Sequence, residues 1–146
     1  MMDSVLIGDV HPLSFNMPRR YVPCLTSKVV AGFPSPADDH IEKYLDLNEH
    51  LVIHPQATFM LRVSGWSMRD AGIFDGDEII VDRAISPEDG HVVVAIVNGE
   101  MTVKRLSMTS DGVCLMAAHP DFQPIGFQEG EELVIWGVVT RVLHKV

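Results

Sequence analysis

The run Val92-Val93-Val94-Ala95-Ile96-Val97, Asn98-Gly99, Glu100-Met101-Thr102-Val103-Lys104 constrains the fold more tightly than any other part of the chain. Asn-Gly suits a type I′ turn, whose two central residues both take positive φ, and the apolar β-branched runs on either side supply the strands. An antiparallel hairpin follows. Its first strand, Val92 to Val97, is apolar at every position, as expected where both faces are covered.

The same texture surrounds the hairpin. Phe59 to Val63 leads into Ser64-Gly65-Trp66-Ser67, Asp75-Gly76 marks a turn before Glu78-Ile79-Ile80-Val81, and Gly112 to Ala117 and Leu133 to Leu143 add strands. The expected fold is mostly β, a compact domain of twisted antiparallel sheets over residues 38–146. Residues 1–37 contrast with it: Pro12, Pro18, Pro23, Pro34 and Pro36, with Gly8 and Gly32, break any sustained period and predict a flexible extended arm. Ser35-Pro36 followed by Asp38 and Asp39 has the form of a helix start, predicting a short helix through Ile41, Tyr44 and Leu45.

Composition excludes several classes. At 146 residues the chain has room for one domain with a single core, and 47% apolar residues is ordinary for a globular protein. Eleven basic against 20 acidic residues give a net charge of -9, the wrong sign for holding DNA phosphates directly. Any link to nucleic acid is expected to run through a partner. Cys24 and Cys114 are too few for a disulfide framework and lack metal-type spacing, so both are read as packing residues in a reducing cytoplasm. No stretch reaches the roughly 18 to 20 apolar residues of a membrane span, and Met1 to Val10 lacks the pattern of a secretion signal.

The chemistry-bearing candidates are Ser67 and Lys104. Serine becomes a nucleophile only when a base removes its proton during attack. The seven histidines, His11, His40, His50, His54, His91, His119 and His144, are scattered and are read as surface or capping groups. His50 and His54 have helical spacing, yet Leu51 follows His50 where the zinc motif HExxH needs glutamate. No metal or cofactor is expected. A lysine serves as base when burial disfavours its charged form and brings its pKa down from about 10.4 toward ~7 to 8. Lys104, on the second hairpin strand opposite an apolar partner, is permitted that burial but not forced into it; on composition alone a solvated strand lysine is the preferred reading. Small residues Ser64 and Gly65 allow a sharp turn that presents Ser67, with the amides of Trp66 and Ser67 available to a developing oxyanion.

Taken in order, Gly-Phe-Pro-Ser-Pro-Ala (32–37), Asp-Leu-Asn (46–48), His-Pro-x-Ala-Thr (54–58), Ser-Gly-x-Ser-Met (64–68), Gly-Ile-x-Asp-Gly-Asp (72–77), Ile-Val-Asp (80–82) and Thr-Val-Lys (102–104) resemble the LexA-like self-cleaving serine peptidases, in particular their mutagenesis-protein branch. The resemblance extends over about residues 30–142. It implies Ser67 as nucleophile, Lys104 as general base, and Ala31-Gly32 as the bond the chain cuts in itself. The small residues at that bond suit close approach of a nucleophile, and β-branched Val29 and Val30 favour the extended form a protease cleft binds. Two positions depart from the pattern: Trp66 stands where relatives often carry Asp or Met, and the bond is Ala-Gly where the mutagenesis branch commonly has Cys-Gly.

The resemblance further implies a homodimer, cleavage stimulated by a RecA filament on single-stranded DNA, and a trimmed product that joins a Y-family polymerase in error-prone DNA polymerase V during the SOS response to damage. Repressor relatives carry a helix-turn-helix, but the region before Ser67 is short, proline-rich and not basic, so operator binding is not expected. Membrane-anchored signal peptidases, which also pair serine with lysine, do not fit. The alternatives are a noncatalytic protein-binding β domain that docks partners through its arm, and a freestanding protease with other substrates.

Overall fold

The computed structural model describes residues 18–25, 28–34, 36, 40–127 and 131–146. Among these, the packing separates residues 54–146 from residues up to Ile53 as two compact units.

In the smaller unit, strand β1 (Tyr21–Leu25) pairs antiparallel with β2 (Ile41–Asp46), Tyr21 facing Asp46 and Leu25 facing Ile41. The predicted helix through Ile41, Tyr44 and Leu45 is therefore a strand. Ser35 and Ala37 to Asp39, which carried most of its start signature, lie outside the described residues. The reason is non-local: Tyr44 and Leu45 pair with Pro23 and Val22, residues inside the segment expected to be an arm without regular structure. A helix does form one step later, α1 (Leu47–Leu51), where the Asp46 carboxylate accepts from the Asn48 N–H at 3.0 Å and caps the first turn.

The larger unit is one seven-stranded antiparallel sheet in the order β3-β4-β9-β5-β6-β7-β8. Its strands are β3 (Thr58–Arg62), β4 (Glu78–Asp82), β5 (Val92–Val97), β6 (Glu100–Thr109), β7 (Gly112–Met116), β8 (Ile125–Gly126) and β9 (Leu133–Leu143). The expected hairpin is present in register, Val97 facing Glu100 across Asn98-Gly99, which take φ of 50° and 85°. β5 lies between β9 and β6, and Val93, Val94 and Ala95 are at most 1% exposed, so this strand is covered on both faces.

Strand β9 joins the two halves of the sheet. Its first half pairs with β5 and its second half with β4, and the register slips at Val94/Ala95 and at Ile80/Val81. Gly137 sits at this changeover, where a Cβ would fall 2.5 Å from Val81 Cγ1; the absence of a side chain lets the strands approach. The apolar side chains then collect in two clusters. One contains Leu61, Val63, Met68, Ile73, Ile79 and Val81 with Val94, and the other contains Val93, Ala95, Leu106, Leu115 and Val138. Alternating β5 residues feed both, which ties the hairpin to the whole core.

Candidate active site

Ser67 lies on an irregular turn between β3 and a 3₁₀ turn at Arg69–Ala71. Three hydrogen bonds lash the end of β3 to the turn at Asp75-Gly76: Val63 N–H donates to Asp77 O (2.8 Å), Gly76 N–H to Val63 O (2.8 Å) and Gly65 N–H to the Asp75 carboxylate (2.7 Å). Gly65 has φ +98°, which a residue with a Cβ adopts only under strain. Beyond the turn, Arg69 N–H donates to Trp66 O (3.1 Å), Ala118 N–H to Ser67 O (2.7 Å) and Asp70 N–H to Ala118 O (2.8 Å). Carbonyls 66 and 67 are thus engaged, whereas neither the Trp66 nor the Ser67 N–H donates to a backbone carbonyl of the described residues.

Met68, 2% exposed, plugs the larger apolar cluster directly beneath Ser67 and anchors the loop to the core. Trp66 stands half exposed on the other side, its ring edge-on to Phe74 with centroids 6.4 Å apart.

Lys104 reaches the same point from regular structure. It pairs with Val93 in the hairpin and is only 7% exposed. Its Nζ donates to Ser67 Oγ at 2.8 Å, Thr102 Oγ1 at 2.8 Å and Val103 O at 3.1 Å. These match the three N–H bonds of an ammonium. Among the described residues no carboxylate forms a salt bridge with it, so burial acts without an opposing anion and holds the Lys104 pKa below the ordinary lysine value.

A cleft of about 170 Å³ opens beside Ser67, with Arg62, Ser64 and Ser67 on one wall and Met101, Thr102 and Val103 on the other. Its two walls carry open strand edges. β3 is a border strand paired only with β4. On β6 the partner β7 begins only at Arg105, leaving the Glu100 to Lys104 half bonded on one side. In a hairpin closed by a two-residue turn the flanking pair exchanges both hydrogen bonds, so Met101 and Val103, at alternate positions, direct their N–H and C=O groups away from β5. An extended peptide entering the cleft meets backbone groups that no neighbouring strand pairs, the Val103 carbonyl among them also accepting from Lys104 Nζ.

The sequence candidates are thus partly gathered. Ser67, Lys104 and the Trp66 amide share the larger unit, while Ala31 and Gly32 belong to the smaller one, in an exposed bend at residues 31–33 flanked by Val29 and by Phe33, 91% exposed. Sequence reasoning missed the roles of Asp75, read as a turn residue, and of Asp77, noted only within the 72–77 motif, and the partners of two histidines. His144 Nδ1 lies 2.5 Å from the buried Asp77 carboxylate, and His54 Nδ1 lies 2.6 Å from the buried Asp82 carboxylate. Burial alone would raise the Asp77 pKa, but hydrogen bonds from His144 and the Phe74 N–H, with the charge of His144, hold it below the usual carboxylate value. Histidines expected to be plain surface or capping groups therefore brace the two ends of β4. No pattern in a single sequence announces pairs 28 and 67 residues apart. Among the described residues no three His, Cys, Asp or Glu side chains converge as a metal site, and no helix is long and apolar enough to cross a membrane.

Sequence comparison decides the family. The Peptidase S24-like family matches residues 23–140, most of the chain. The chain belongs to the Peptidase S24-like family. Protein MucA of Escherichia coli is 44% identical over 124 residues, covering 84% of each chain. Protein ImpA of Salmonella typhimurium is 42% identical over 129 residues, covering 84% of this chain and 83% of its own. LexA repressor 1 of Pseudomonas putida is 40% identical over 122 residues, which span 83% of this chain but 60% of the repressor. Within this family the chain is a self-cleaving serine peptidase of the UmuD-like kind, a group that works in SOS mutagenesis and generally forms dimers. The mostly β, antiparallel fold agrees with that membership.

Proposed function

We propose that Ser67 and Lys104 form the dyad that cuts the Ala31-Gly32 bond, and that the amides of Trp66 and Ser67 form the oxyanion hole. The observation that carries this reading is the 2.8 Å contact between Lys104 Nζ and Ser67 Oγ, made by an amine whose pKa burial has lowered. As an ammonium, Lys104 donates to Ser67 and the site rests. Once deprotonated, its lone pair accepts the Ser67 hydroxyl proton while Oγ attacks the Ala31 carbonyl carbon. The carbonyl electrons move onto oxygen, where the Trp66 and Ser67 N–H groups, uncommitted to backbone carbonyls of the described residues, stabilise them.

Collapse expels the Gly32 amine, which takes the proton back from Lys104 and leaves Ala31 esterified to Ser67. Water, deprotonated by Lys104, then hydrolyses the ester and restores both side chains. The open edges at Met101, Val103 and the border strand hold the scissile segment extended, and Val29 to Phe33, exposed and free of regular pairing in the structure, is suited to that conformation.

The biological reading is a cytoplasmic regulator of the SOS response: cleavage is stimulated by a RecA filament on single-stranded DNA, the exposed bend at residues 31–33 carries the cut site, and the trimmed dimer serves a Y-family polymerase. The net charge of -9 supports recruitment to DNA through partners rather than direct binding. Purified protein incubated with RecA, an ATP analogue and single-stranded DNA is expected to yield a fragment beginning at Gly32. An intact chain under conditions that cleave a positive control would leave a noncatalytic docking domain as the function.

A further inference from the structure

We propose that Asp75 is a positioning residue for the oxyanion hole, acting through the Gly65 amide. The inference rests on the dyad reading and goes beyond it, because Asp75 touches neither Ser67 nor Lys104. The amide that would face the oxyanion, Trp66 N–H, belongs to the peptide plane joining Gly65 to Trp66, so its direction is set by the torsions of Gly65. Glycine is the residue least able to hold a torsion by itself. Something outside it must do so.

The structure supplies restraint on both sides. On the upstream side the Asp75 carboxylate accepts from Gly65 N–H at 2.7 Å, which anchors the peptide plane entering Gly65, whose φ is +98°. On the downstream side Trp66 O accepts from Arg69 N–H, and Ser67 O from Ala118 N–H. Only the upstream restraint depends on a side chain.

That side chain is itself well placed. Asp75 sits in the turn whose backbone is tied to β3 by Gly76 N–H to Val63 O and Val63 N–H to Asp77 O. The same turn is closed by Phe74 N–H donating to the Asp77 carboxylate and Asp77 N–H to Phe74 O. The carboxylate is held over Gly65 by a frame that begins and ends on the border of the sheet. Asp75 is exposed and adds nothing to the buried core, so stability gives this residue little reason to be where it is. Lys104 is reached from a different strand with its own three acceptors, so loss of Asp75 is expected to leave the base untouched.

The test compares filament-free self-cleavage of the full chain, as Asp75→Ala, Asp75→Asn, Asp75→Glu and the unaltered protein, across pH 7 to ~10.5, the upper part of which spans the lysine range. Removing an oxyanion donor outright costs about 100- to 1000-fold, so misaiming one by Asp75→Ala is expected to lower the plateau rate about 10- to 100-fold. The pH midpoint, a property of Lys104, stays put. Asp75→Asn keeps an oxygen acceptor and is expected to recover the rate to within about threefold. Asp75→Glu, with the same charge one methylene further out, is expected to behave as Asp75→Ala and replaces it should that variant not fold. Affinity for a peptide boronate, a mimic of the tetrahedral state, falls in parallel with the rate.

An Asp75→Ala chain that cleaves at the unaltered rate would overturn the proposal. So would a shifted pH midpoint, which would place the effect on the lysine, or an Asp75→Asn chain as slow as Asp75→Ala, which would assign it to charge. Absence of cleavage in the unaltered protein, with a positive control active, overturns the dyad reading instead and takes this inference with it.

Discussion

Two regions of one molecule bring the candidate catalytic groups together, and they do so by opposite means. Lys104 is carried by a strand hydrogen-bonded in a regular ladder, opposite Val93, and its position follows from register. Ser67 is carried by a turn with no ladder, and its position follows from individual contacts: Gly65 to Asp75, Val63 to Asp77, Ala118 to Ser67. The lysine needs dryness, which its place beside β5, a strand covered on both faces, provides. The serine needs a backbone that presents both a hydroxyl and free amides, which a ladder would have consumed. The difference teaches that the base is secured by the fold as a whole and the nucleophile by local bracing.

The sharpest way to break this comparison is to delete either partner. Ser67→Ala and Lys104→Ala are each expected to lower self-cleavage by roughly 10³-fold or more with the fold retained, because both act as one unit. Mass spectrometry of the fragment beginning at Gly32, alongside circular dichroism, measures this. Persistent cleavage in Ser67→Ala would remove the serine from the mechanism.

The pH profile probes the lysine half alone. Burial lowers the Lys104 pKa, so the neutral amine gains population as pH rises, with its midpoint below the ordinary value of 10.5. Below that folded pKa the filament-free rate is expected to climb about tenfold per pH unit and then level off. A rate indifferent to pH between 7 and ~10 would contradict a lysine base.

Gly137→Ala tests whether the sheet is as tightly joined as the lysine half requires. Its Cβ would meet Val81 Cγ1 at 2.5 Å, and such overpacking costs about 1 to 3 kcal/mol, readable as a lower denaturant midpoint. An unchanged midpoint would show that β9 passes β4 with room to spare.

The smallest effect is expected on the bracing of the serine half. Asp77 is held below the usual carboxylate pKa in the folded chain, so the stability it contributes is present above about 3.8 and is lost as pH falls through the lower folded value. The advantage of the unaltered protein over Asp77→Asn should therefore be seen at neutral pH and vanish in acid. An advantage that grows in acid would reverse the assignment of the His144 and Phe74 contacts.

The same division governs what the sequence made legible. The hairpin, β7 and β9 were readable because Asn-Gly turns and β-branched runs are local causes of local structure. The helix expected through Ile41, Tyr44 and Leu45 failed because its start signature is equally local, whereas the outcome was decided by pairing with Tyr21–Leu25, some 20 residues earlier. Ser67 and Lys104 were legible as residue types, and the sheet supplies the 2.8 Å that joins them. Asp75, Asp77 and His144 were illegible as partners because nothing in their neighbourhoods in sequence differs from an ordinary acidic turn or a chain end.

The three acceptors around Lys104 Nζ give the idle state its character. They offer an acceptor to every proton of the charged amine, and while those protons stay the chain is built to wait. A protein that severs itself once has no need of turnover. Latency is what it requires, and a dry ammonium resting on a serine is a slow fuse that any influence able to strip one proton would light.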